Sequence, residues 1–117
     1  MSKTAKLQVL ALAWLVLAGP AGAVDVIEAV GAQKCGGRVK SYAVEFLAPE
    51  DAQLEASAKA MAGGAEARPE TVRLSLDGRP CRDARCTFRA SKGQTYRFVA
   101  EGEPVTFSEL CVVIARP

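Results

Sequence analysis

The stretch Leu110-Cys111-Val112-Val113-Ile114-Ala115 is apolar without interruption. A short run of this kind implies burial on both faces, so Phe107 to Ala115 is expected to be a central strand. Everything upstream must supply its neighbours. Thr95 to Glu101 alternates, with Tyr96, Phe98 and Ala100 on the inward face. Cys86 to Ala90 precedes it, separated by Ser91-Lys92-Gly93-Gln94, which has the length and glycine of a hairpin loop. Thr71 to Leu76 puts Val72, Leu74 and Leu76 on one side and Arg73 and Ser75 on the other, and Asp77-Gly78 after it is a tight-turn signal. Val39 to Leu47 alternates through Tyr42, Val44 and Phe46, and Val24 to Val30 makes a further short strand. Gln33 to Gly37 reads as a turn holding Cys35, and Ala65 to Glu70 as a linker.

One segment reads differently. Pro49 suits a first helical position, Glu50 and Asp51 suit the positive end of a helix, and Gly63-Gly64 suits its stop. Leu54, Ala58 and Met61 share a helical stripe, and Glu55 and Lys59 stand four apart. A helix is therefore expected over 49–62. The resulting fold class is α+β: a small β-rich domain of about six short antiparallel strands, as a sheet or sandwich, with that one helix.

The chain has 117 residues, half of them hydrophobic and 24% charged, an ordinary globular balance for one small domain. Lys3 and Lys6 open it, an apolar stretch runs from Leu7 to Ala18, and Gly19-Pro20-Ala21-Gly22-Ala23 follows. This three-part layout is that of a secretory signal cleaved after Ala23. Its apolar core is shorter than the roughly 18 residues that a membrane-spanning helix needs. The expected domain is then 24–117, with no membrane span, secreted or periplasmic. The Ala-, Gly- and Arg-rich composition points to a bacterial source. Removing Lys3 and Lys6 from the 15 Lys and Arg leaves them equal in number to the 13 Asp and Glu, so no whole-molecule attraction to nucleic acid or anionic membrane follows.

There is no histidine. This excludes Ser-His-Asp and Cys-His catalysis and histidine metal sites. No phosphate-binding glycine loop and no EF-hand spacing occur. The carboxylate pairs Glu50-Asp51 and Glu101-x-Glu103 are ordinary solvated neighbours. The chain reads as a non-enzyme, with neither cofactor nor metal.

The four cysteines, Cys35, Cys81, Cys86 and Cys111, behind an export signal read as a disulfide framework. Cys35–Cys111 with Cys81–Cys86 is the favoured arrangement of the three that four cysteines permit. A core of about fifteen apolar side chains is marginal at this size, so the bridges matter. Zinc would want two close pairs, and only one exists, at C-x4-C spacing. A redox pair at Cys81 and Cys86 is the sharper alternative, because Arg79, Arg82 and Arg85 would stabilise a thiolate. Thiol oxidoreductases place C-x-x-C at a helix start, and this segment has neither feature.

Charge is unevenly spread. Thr71 to Arg97 carries seven bases against two acids, and Ser41 to Glu70 six acids against two bases. Arg79, Arg82, Arg85, Arg89 and Arg97 are the candidate binding residues, forming a basic face for another protein with an acidic surface. The competing reading pairs those arginines with the acidic segment inside the fold. The inward parity of Tyr96 and Phe98 argues against a stacking platform for nucleic acid. A structural envelope subunit is a further alternative, should the terminal strand lie at a sheet edge.

Overall fold

A computed structural model describes residues 24–67 and 71–117. The segment read as a secretory signal, residues 1–23, lies outside the described residues. Among the described residues ten strands run in chain order: β1 Asp25–Ile27, β2 Gln33–Gly37, β3 Ser41–Leu47, β4 Ala52–Ala62, β5 Ala65–Glu66, β6 Arg73–Leu76, β7 Arg79–Pro80, β8 Arg85–Ala90, β9 Thr95–Glu101 and β10 Glu109–Ala115. They form two sheets. The first has the order β1-β3-β9-β6-β7; the second has β2-β10-β4-β5, with β8 also paired to β4. The fold is a two-layer β-sandwich, and there is no α-helix among the described residues.

The helix expected over 49–62 is replaced by β4, the longest strand of the fold. The reason is visible in its side chains. Ala52, Leu54, Ala56, Ala58 and Ala60 alternate with Gln53, Glu55, Ser57, Lys59 and Met61. That period of two matches the sheet, and burial follows it, with Ala52, Leu54, Ala56 and Ala60 in the core. Alanine's helix propensity is worth only tenths of a kcal/mol per residue against most alternatives, and β4 gains ladder partners on both sides. It pairs with β10 through seven registered positions and with β8 through six. Glu55 and Lys59, no longer helical neighbours, lie on the outer face. The α+β reading is corrected accordingly to all-β.

Four further details differ from expectation. Ala65–Glu66, read as the start of a linker, is a strand paired with β4. Gln33–Gly37 is a strand rather than a turn, and it pairs with β10. The pairing of β1 with β3 is parallel, whereas antiparallel strands were expected throughout. Ser91-Lys92-Gly93-Gln94 does not close a hairpin: β8 belongs to the second sheet and β9 to the first. The loop arches between the layers and docks on the β3–β4 connection. Gly93 N–H donates to Ala48 O, Ala48 N–H to Gln94 O, and Lys92 N–H to Asp51 Oδ1.

The expected terminal strand is present as β10 and lies inside the second sheet, between β2 and β4. Its position removes the premise of an envelope subunit assembled through that strand's edge. Leu110, Val112 and Ile114 fill the core side, and Cys111 is fully buried on the other side. The alanines of β4 leave space between the layers that aromatic rings fill. Phe88 of β8 meets Phe46, Tyr96 and Phe98 of the opposite sheet at centroid distances of 6.2, 5.2 and 5.4 Å. Phe46 and Phe107 are buried in this core.

Candidate binding site

The β6–β7 hairpin begins the site. Asp77 and Gly78 both have positive φ, +47° and +86°, which is the two-residue hairpin turn whose twist suits the flanking strands. Asp77 Oδ1 accepts from the Arg97 N–H at 2.9 Å, fixing the turn against β9. The hairpin continues through Cys81, whose N–H donates to Leu74 O. The chain then leaves the first sheet for the second.

That crossing is the loop Arg82-Asp83-Ala84-Arg85. Asp83 and Ala84 again take positive φ, +55° and +56°. Arg82 and Arg85 are bridged across the turn, with Arg85 N–H donating to Arg82 O at 3.0 Å. A non-glycine residue at such a φ costs roughly 1–2 kcal/mol. Ala84 offsets this by burying its methyl group and by accepting from Ala58 N–H of β4. The Cys81–Cys86 disulfide closes the turn. The two arginines are therefore held on a short, covalently closed loop.

Beside the loop lies an open cleft of about 400 Å³, lined by Leu76, Asp77, Arg79, Pro80, Cys86 and Tyr96. Its floor is mostly apolar, and Asp77 and Arg79 supply charge at its rim. The Tyr96 hydroxyl is engaged by Ser91 N–H at 2.8 Å, which holds the ring in place.

The five candidate arginines divide. Arg85 and Arg89 lie on the outer face of the second sheet, and Arg82 precedes them in the loop. Arg79 lies on β7 at the edge of the first sheet, opposite Leu76. Arg97 is on the outer face of the first sheet, on the far side of the sandwich, where it pairs with Glu45 at 3.7 Å. The alternation that places Arg89 and Arg97 outward is correct for both, but they belong to different layers. Arg85 pairs with Glu55 at 3.9 Å. Both pairs are solvent-exposed and each contributes at most about 1 kcal/mol. Arg79, Arg82 and Arg89 make no ion pair among the described residues. The sequence pointed to none of Leu76, Pro80 and Tyr96 as site residues; only the crossing of the chain between sheets brings them together.

Cys35, Glu109 and Cys111 bring ligand-type atoms close to one another. The two sulfurs are bonded to each other and offer no thiolate to a metal.

No family model matches the chain, and no curated protein does. Several solved structures align with it, among them the following two. One is the pre-peptidase C-terminal domain of a collagenase from Bacillus anthracis, with a TM-score of 0.48 and 7% identity over 79% of this chain and 96% of that one. The other is a periplasmic inhibitor of g-type lysozyme from Aeromonas hydrophila, with a TM-score of 0.43 and 10% identity over 78% of this chain and 96% of that one.

Proposed function

We propose that the chain is a non-enzymatic binding module, secreted or periplasmic after removal of residues 1–23, that recognises an acidic surface on another protein. The contact region is the rim formed by Arg79, Arg82, Arg85 and Arg89 beside the cleft. One observation carries the reading: a disulfide-closed turn presents arginines next to an open, largely apolar cleft. A loop already closed by a disulfide loses little conformational entropy on binding. The two disulfides suit an oxidising compartment. No helix among the described residues is long and apolar enough to cross a membrane.

The test is affinity capture from envelope and culture-fluid fractions on the immobilised protein, with cross-linking to identify what binds at the rim. Charge reversal at Arg82 and Arg89 should lower recovery of that partner and leave the melting temperature unchanged. Recovery equal to that of the unaltered protein would remove the rim from the contact.

A further inference from the structure

The arginine rim coincides with an open sheet edge. Strand β8 pairs with β4 on one side, and among the described residues no strand pairs with its other side. The phase of the ladder decides which groups point outward. Ala58 N–H donates to Ala84 O. Hydrogen-bonded positions in an antiparallel pair recur every second residue, so Cys86, Phe88 and Ala90 exchange bonds with β4. Arg85, Thr87 and Arg89 then aim their N–H and C=O groups away from the sheet. Two observations agree with this phase. Arg85 N–H donates to Arg82 O, and Arg89 O accepts from the Tyr96 hydroxyl, so neither group is directed at β4. Thr87 N–H and C=O and the Arg89 N–H are left facing solvent.

We propose that β8 binds an extended segment of a partner protein by strand addition, and that this segment alternates acidic and apolar residues. The proposal rests on the binding-module reading and specifies its mode. Main-chain bonds to Thr87 and Arg89 supply the attachment, and alternate side chains supply the selection. On the outer face, Arg85 and Arg89 flank Thr87, so the facing residues of an added strand are acidic. On the inner face, the side chains of the added strand point toward the cleft that Cys86, Pro80, Leu76 and Tyr96 line, which accepts apolar groups. A second copy of this chain is a poor occupant. Antiparallel pairing of two β8 edges about Thr87 sets each Arg85 opposite an Arg89, and like charges directly opposed are destabilising.

The probe is a capped synthetic peptide of alternating glutamate and valine, added to the 15N-labelled protein and followed by amide NMR at low and high salt. A twin peptide carries N-methyl groups on its glutamates, which removes edge donors and keeps the charge. The plain peptide should shift and protect the amides of Thr87 and Arg89. The twin should bind at least about tenfold more weakly, the loss of roughly one net hydrogen bond. Thr87→Pro should abolish binding of the plain peptide and leave the fold intact, because the donor it removes faces away from β4. Equal binding of both peptides overturns strand addition and leaves the basic-rim reading standing. Binding of neither overturns both. Shifts confined to β1 or β7 place the contact at a different edge and overturn the assignment to β8.

Discussion

Cys81 ends a hairpin of the first sheet and Cys86 lies in a strand of the second, so the disulfide with the shorter loop joins the two layers. Cys35 and Cys111, separated by 76 residues in sequence, instead stand directly opposite each other within one ladder. The two bridges therefore act on different things. By the loop-entropy argument the long link stabilises by about 4.5 kcal/mol and the short one by about 2 kcal/mol. Removing Cys35 and Cys111 together, as alanines, should cost the larger of these two amounts, a serious loss against a total stability that is ordinarily about 5–15 kcal/mol. Removing Cys81 and Cys86 should cost less, but free the Arg82–Arg85 turn. Urea denaturation of the two double variants, with amide exchange at Arg82 to Arg85, checks both halves. Equal losses of stability would contradict the ordering.

Tyr42 sits between the layers over Gly36, and a methyl group at position 36 would come within 2.8 Å of the ring carbon Cε1. Gly36→Ala should therefore destabilise by about 1–3 kcal/mol through overpacking. If the ring is the cause, the penalty should shrink in a Tyr42→Ala background, and a double-mutant cycle reads that coupling directly. Additive losses would place the strain elsewhere.

The sequence made much of the sandwich legible, and the places where it did not share one physical reason. Strands β3, β6, β9 and β10 announce themselves by alternation or by a continuous apolar run, signals that burial itself imposes. In β4 the same alternation is present, but with alanine on the inward face it is a weak hydrophobic signal. The helix-like marks at Pro49, Glu50 and Gly63 overrode it. Only the partners β8 and β10 decide the matter, and they lie far off in sequence. The Ser91–Gln94 loop is a similar case. Gly93 has a positive φ of +84°, as a hairpin loop would require, yet an arch between layers asks for the same backbone. For the candidate site, the arginines were visible as a local excess of charge. Their division between faces was not, because the sheet assignment of each strand sets it.

The ring of Phe88 should be a costly core position. It meets rings from two strands of the opposite sheet and is itself 8% exposed. Phe88→Ala should cost about 3–5 kcal/mol, from lost transfer energy and the cavity left between the layers. The check is the urea midpoint together with the near-ultraviolet circular dichroism of the aromatic cluster. A loss below about 1 kcal/mol, the scale of an exposed position, would show that the layers close over the gap.

Stability should also fall at alkaline pH through one identified group. The Tyr42 hydroxyl donates to Asp25 Oδ2. Burial first, and then the hydrogen bond and negative charge of Asp25, push the phenol well above its usual value of 10.0. The folded state thus keeps a proton that the unfolded chain releases near pH 10. Where the folded state binds more protons, stability decreases as pH rises. The contribution is complete below about pH 10 and declines above it. Tyr42→Phe removes both the hydrogen bond and the titration. It should be less stable than the unaltered protein at neutral pH, by about 1 kcal/mol. Its stability should then fall less steeply above pH 10, so the two curves converge. Denaturation midpoints measured from pH 7 to 11 give the comparison, and curves that stay parallel would show that Tyr42 is not the group that titrates.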